Sequence, residues 1–363
     1  MKKLLLLSFT VIASLSVSLA QTIYTADNNP GAIGGANTFT GPTALTDAIA
    51  AATAGDIIHV VRSSTDYGTI TIDKQLSIFG IGLNPDTDGN ERSIVSTVLI
   101  DDPVASGTRI SGLRITNQLG LGGTTGVLSN LLIENSRIRW IQHLSVNTTL
   151  SNIIIRNNVI GSGFTTKEEK IDLLAGAISN IIIANNVLYV STFPHGVITA
   201  SNGTSIENNL FIGNGIGSAS LYYAFENFNG NSVKNNIFFW LRPHAIGSFT
   251  NNTFENNITY LTGADAFSTA NGNISLNNIE AQDPLMTNVP FGGSIDYSTF
   301  DPTLLGGSPA IGSGEGGTDM GVFGGPAPMK LSGTLIPLIQ SLTLPSMVLK
   351  GTDLPVQIKA EGN

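Results

Sequence analysis

The sequence predicts an all-β protein, a parallel β-helix (solenoid) with a short N-terminal capping helix and a small C-terminal β extension. Three observations carry that prediction. A strand-like apolar phrase ending in two asparagines recurs down the chain, and it does so at a nearly regular interval. The composition favours turns and strands over helices: 41 glycines, abundant Asn, Ser and Thr, and no cysteine.

The phrase is clearest as "NIIIRNNVI", residues 152–160, and returns as "NIIIANNVL", "SIENNLF", "SVKNNIFF", "FENNITY" and "SLNNIE". Its first asparagines are Asn135, Asn157, Asn185, Asn208, Asn235, Asn256 and Asn277, an interval within the range where self-similarity signals a solenoid. Two positions earlier the column reads Ile133, Ile155, Ile183, Ile206, Val233, Phe254, Ser275; one position earlier it is largely charged. That alternation has the period of a strand. A strand repeating at this interval cannot pair with a hairpin neighbour and leaves too little chain for most helical crossovers. One coil per repeat, each pairing with the next at about 4.8 Å, satisfies the backbone. The outward column then stacks Arg156 on Glu134 and sets Lys234 between Glu207 and Glu255.

Asparagine enters the left-handed backbone region more readily than other non-glycine residues, which suits a sharp bend between two sheets of a coil. Stacked amides also bond from coil to coil. The column Asn135, Asn157, Asn185, Asn208, Asn235, Asn256 and Asn277 is therefore expected to form a structural ladder, with the second Asn of each pair repeating beside it.

At the start, "MKKLLLLSFTVIASLSVSLA" reads as a secretory signal peptide over residues 1–20: two lysines, an apolar run and a small-residue cleavage site. Secretion to a periplasm, the medium or the cell surface is the expected destination. No later stretch is long and apolar enough for a membrane span. Without cysteine, stability in an oxidising compartment must come from burial and hydrogen bonding. "GPTALTDAIAAATAGDIIHVV" predicts a capping helix with Leu45, Ala48, Ile49 and Ala52 on one face, Thr43 at its start and Gly55 at its stop, followed by the first strand. Such a cap is what an open solenoid end requires.

"LTDAIAAATAGDIIHV", "YGTITIDKQLSIFGIG" and the "IRNNVI" rungs resemble the right-handed parallel β-helix proteins of the pectin lyase-like superfamily. At the far end, "DPLM" and "GGSPAIGSGEGGTDMGVFGG" resemble the closing coil of its secreted members. The resemblance implies a right-handed β-helix over residues 21–325, leaving 326–363 as a linker and short β extension with two strand-like runs. It implies little chemistry, because the superfamily spans lyases, hydrolases, isomerases and adhesins. The Arg-x-Pro-x-x-Arg segment of pectate lyases is absent, and of the Asn-Thr-Asp, Asp-Asp, Gly-His-Gly and Arg-Ile-Lys set of polygalacturonase-type hydrolases only Asp101-Asp102 in "LIDDP" is present, so no catalytic residue carries over.

Two sets of residues remain as candidates for binding. His143, Lys167, His195, His244 and Asp265 each follow their rung's first Asn at a similar short interval, with Arg242 nearby. As an outward stripe beside Trp140, Phe193 and Trp240 they would suit sugar hydroxyls and carboxylates. In "NPDTDGNE", Asn84, Asp86 and Asp88 precede Gly89 at the spacing of a calcium loop, though Val95 stands where a bidentate Glu would complete it. Calcium is thus a candidate ligand, and no cofactor is required. A net charge of −9 with 12% charged residues argues against a nucleic-acid partner. The function expected is a secreted, non-catalytic β-helix that binds polysaccharide or a cell-surface glycan, or serves as an adhesive element. The alternative is a polysaccharide lyase or another polysaccharide-degrading enzyme.

Overall fold

The computed structural model describes residues 21–83, 92–161, 171–190, 196–213, 223–289, 296 and 299–331, and the backbone of 338–343 and 357–361. The signal-peptide segment 1–20 lies outside the described residues. The chain is a parallel β-solenoid. Its first face stacks Ile23–Asp27, Ile57–Val60, Ser77–Phe79, Arg109–Ser111, Leu132–Glu134, Thr148–Arg156, Ile178–Ala184, Thr204–Glu207, Ser232–Lys234, Thr253–Glu255 and Ile274–Leu276. The second face carries Arg137–Ile138, Val159–Ile160, Val187–Val190, Leu210–Gly213, Ile237–Phe239 and Ile258–Tyr260. The third carries Ile141–His143, Ile171–Asp172, Gly196–Thr199, Tyr223–Asn229 and Arg242–Thr250. The long strand Arg114–Leu121 pairs with both Arg137–Ile138 and Ile141–His143, so second and third faces merge into one sheet there.

The predicted inner column extends three coils further upstream than the Asn repeat. Ile58, Ile78, Ile110, Ile133, Ile155, Ile183, Ile206, Val233 and Phe254 are in register and fully buried, and Ser275 ends the series. Each such side chain contributes about 1.5–3 kcal/mol by leaving water. Aromatic rings fill the last coils, with Phe211 stacked on Phe238 at 4.6 Å and Phe225 on Phe228 at 4.1 Å.

The two asparagines of each phrase divide the work that the sequence assigned to the first. Asn135, Asn157, Asn185, Asn208, Asn235, Asn256 and Asn277 all have φ between +51° and +58°, which makes the bend from first to second face. The amide ladder expected in that column lies one residue later. Asn158, Asn186, Asn209, Asn236 and Asn257 are fully buried, and each Nδ2 donates to Oδ1 of the next coil's asparagine at 2.9–3.1 Å. The same Nδ2 also donates to a carbonyl of the preceding coil, as Asn186 does to Ile155 at 2.8 Å. Once the first residue takes the left-handed bend, the second side chain is the one turned into the coil. A second inner ladder of Asn231, Asn252 and Asn273 lies at the start of the first face and is not part of the "NN" phrase.

The outward column behaves as its charges require. Glu134 is buried between Arg109 and Arg156, with Arg156 Nε at 2.9 Å. Lys234 lies 3.8 Å from Glu207 but finds its closer partner, Glu315 at 2.8 Å, in the C-terminal segment. That hydrogen bond, with the surrounding carboxylates, raises the Lys234 pKa.

The cap helix is Ala44–Ala51, and Ala44, Leu45, Ala48 and Ile49 join the interior. Thr43 stands at its N-cap but donates its hydroxyl to the Asp47 carboxylate at 2.7 Å and makes no capping bond to the backbone. The helix stops at Ala52, before the expected Gly55. Lys74 reaches its last carbonyls at Ile49 and Ala52, and Gly55 at φ +93° makes the following turn.

The closing coil expected over residues 306–325 takes another course. This segment runs back along the outside of the second face as a strap. Ala310, Met320, Val322 and Met329 cover the outward apolar column Val159, Val187, Leu210, Ile237 and Ile258. The left-handed asparagines hold it: Asn235 Oδ1 accepts from Glu315 N–H at 2.9 Å, and Asn208 Nδ2 donates to Asp319 O at 3.2 Å. Asn185 Nδ2 donates to Val322 O and Gly324 O at 3.0 and 2.8 Å. A Cβ at Gly324 would collide with Asp319 O, which explains the glycine there. Beyond it, Leu338–Thr343 and Gln357–Glu361 pair as an antiparallel two-stranded sheet.

Candidate functional site

The third face carries the polar residues that the repeat does not explain. Its inner column is Ile141, Ile171, Ile198, Phe225 and Ala245; the adjacent outer column is Gln142, Asp172, Thr199, Glu226 and Ile246. Asp172 and Glu226 are two coils apart, about 10 Å along the stack, with Thr199 between them. Thr199 is buried, and its Oγ1 has no hydrogen-bond partner. Gln142 Oε1 accepts from Gln118 Nε2 at 2.8 Å, and Asp172 Oδ1 accepts from Leu174 N–H at 3.3 Å. The part of the column that reaches the surface is one amide and two carboxylates on a stiff sheet.

Beside this column, three of the sequence-predicted residues come together. Arg242 opens the strand Arg242–Thr250, holds Gly263 O through Nη2 at 3.3 Å and lies 5.8 Å from the Tyr223 ring. His244, on the same strand, meets Ala266 O through Nε2 at 3.1 Å and packs against Phe249. Burial, helped by the Arg242 charge, lowers the His244 pKa against the opposing pull of Ala266 O. Asp265 shapes the intervening turn: its Oδ1 accepts from Thr262 N–H and Oγ1 at 3.1 and 2.9 Å. This part of the surface presents a cation beside an aromatic ring, a combination suited to stacking and to carboxylate recognition.

His143 does not belong to that stripe. It is 1% exposed and lies on the same side of its strand as the core residue Ile141. His143 stands an even number of positions past Asn135, whereas His244 stands an odd number past Asn235, so its side chain takes the opposite face. Lys167 and His195, and the calcium candidates Asn84, Asp86 and Asp88, lie outside the described residues. Among the described residues no group of three or more His, Cys, Asp or Glu side chains is gathered as for a metal ion.

The sequence reading missed Asp172, Thr199 and Glu226 because it counted from the Asn turn. Their distances from Asn157, Asn185 and Asn208 differ from coil to coil, since the interval before the third face varies. The signal was local: an apolar residue of the inner column immediately followed by a polar one in Ile171-Asp172, Ile198-Thr199 and Phe225-Glu226.

No protein-family profile and no curated protein sequence matches this chain. Among solved structures, it aligns with the catalytic unit of a thermostable GH87 α-1,3-glucanase from Streptomyces thermodiastaticus strain HF3-3. The identity is 16%, the TM-score 0.19, and the alignment covers 77% of this chain and 72% of that one. A likeness of that size carries no inference about the site described above.

Proposed function

We propose that this protein is a secreted, non-catalytic β-helix that binds a polysaccharide across its third face. The observation that carries the reading is the partly exposed outer column Gln142, Asp172 and Glu226, with the Arg242–Tyr223 pair at its flank. Hydroxyl-bearing polymers are recognised by arrays of this type: acceptors and donors fixed on a rigid scaffold, an aromatic face for stacking, and a cation for any carboxylate. Among the described residues no helix is long and apolar enough to cross a membrane. Affinity electrophoresis against neutral and uronic-acid polysaccharides tests the proposal. Asp172→Asn with Glu226→Gln should weaken binding at least tenfold, as should alanine at His195, Arg242 and His244 together. Unchanged binding in both variants, for every ligand found, removes the third face as the site.

A second reading starts from two acidic residues on one column. Asp172 and Glu226 stand two coils apart with one residue between them, and an acid and a base flanking a glycosidic bond is the arrangement glycosidases use. In that case the protein is a polysaccharide-degrading enzyme. New reducing ends, or the absorbance of an unsaturated product from uronic-acid polymers, lost in Asp172→Asn, would replace the non-catalytic reading. Calcium at Asn84, Asp86 and Asp88 remains a proposal of its own, and calorimetry with millimolar calcium that gives no heat removes it.

A further inference from the structure

We propose that His143 is an acid-released pin that holds the turn 173–177, and with it Asp172, against the coil. The function affected is the third-face binding proposed above, and this inference rests on that reading for its consequence but not for its test. Nδ1 of His143 accepts the N–H of Gly176 at 3.2 Å, a bond to a residue one coil later. An imidazole that accepts at Nδ1 is neutral and carries its proton on Nε2. That Nε2 is buried, and the carbonyls of Leu173 and Thr148 stand by the ring.

The fit leaves no room for adjustment. A Cβ at Gly176 would lie 2.5 Å from Thr148 O, 2.7 Å from Ser145 O and 2.8 Å from His143 Cε1, so only glycine brings its N–H to the ring. The turn also carries the site. Asp172 ends the strand Ile171–Asp172, and its Oδ1 accepts from Leu174 N–H, which ties the carboxylate to the backbone that His143 anchors. A proton placed on Nδ1 turns an acceptor facing an N–H into a second donor facing it. The contact then has to open, and the turn moves with it.

The groups around the ring set the direction. The carbonyls of Leu173 and Thr148 and the negative charge of Asp172 favour the imidazolium, and Asp172 is the charged group that acts on the ring. Burial outweighs them and holds the pKa below its ordinary value. For a base depressed in the folded state, the stabilisation is complete above the free value of about 6.5. It is lost as pH falls from there toward the lower folded pKa.

Hydrogen exchange at the Gly176 amide, corrected for intrinsic exchange and followed by NMR in the full chain, tests the pin. Protection should fall about tenfold for each pH unit between about 6.5 and the lower folded pKa in the native sequence. His143→Asn keeps an acceptor near the Nδ1 position without a titrating ring, and its protection should be insensitive to pH. His143→Gln serves the same purpose should the asparagine variant fail to fold. Native protection that does not change with pH, or an equal pH dependence in the non-titrating variant, overturns the proposal. Polysaccharide affinity measured over the same range separates the two ideas. Amide opening with no polysaccharide bound at any pH leaves the pin standing and removes the binding reading, whereas affinity lost at low pH with protection intact removes the pin.

Discussion

The bend from first to second face and the approach to the third face differ in how much the chain was free to vary. At the bend, each coil from Asn157 to Asn278 spends the same two asparagines, one left-handed and one turned inward. Before the third face the interval changes from coil to coil. Ile138 and Ile141 are nearly adjacent, and so are Phe239 and Arg242, whereas much longer stretches separate Ile160 from Ile171, Val190 from Gly196 and Gly213 from Tyr223. Asp172, Thr199 and Glu226 follow the longer intervals. The invariant corner sets the register of the stack, and the variable one is where surface chemistry accumulates, as loops on rigid scaffolds generally do.

Four positions probe that contrast. The largest effect is expected at the buried amide: Asn209→Ala strips the Oδ1 acceptor from both the N–H and Nδ2 of Asn186. A loss of about 3 kcal/mol in denaturant unfolding is expected, since each buried unsatisfied group costs about 1–3 kcal/mol. Asn185→Ala should cost about 2 kcal/mol, combining left-handed strain with two lost strap bonds. Asn157 Oδ1 has no hydrogen-bond partner among the described residues, so Asn157→Ala should cost only about 1 kcal/mol and Asn157→Gly close to nothing. If Asn157→Gly destabilised as much as Asn209→Ala, the division of labour within the pair would be wrong. On the third face the sign reverses. Thr199→Val removes a buried hydroxyl that makes no hydrogen bond among the described residues and should leave thermal stability unchanged or slightly raised. A clear loss of stability would mean that the hydroxyl is structural.

Much of this was legible because a period of two within a fixed coil leaves few alternatives. Ile133 to Phe254 could be assigned inward from spacing alone, and so could Arg156 beside Glu134. The assignment of the ladder to the first Asn failed on a point that sequence spacing does not encode: two adjacent amides share a period, and only the backbone shows which one turns inward. His143 failed on parity: the connection before the third face is equally short in its coil and in that of His244, but the two stand at an even and an odd offset from their Asn and so take opposite faces. The strap was unreadable for a different reason. Its glycine-rich run has no period, and its partners Asn185, Asn208 and Asn235 were already accounted for as turns.

The strap also alters how the molecule assembles. In a simple stack each coil touches only its neighbours, so ends can fray and structure can propagate one repeat at a time. Here Asn185 is tied to Val322 and Gly324, more than a third of the chain away in sequence. Contacts of such sequence separation form more slowly than those between adjacent coils. The outer apolar column of the second face must therefore stay wet until the chain beyond residue 310 arrives. The strap thus adds a long-range step that nearest-neighbour stacking of coils does not contain.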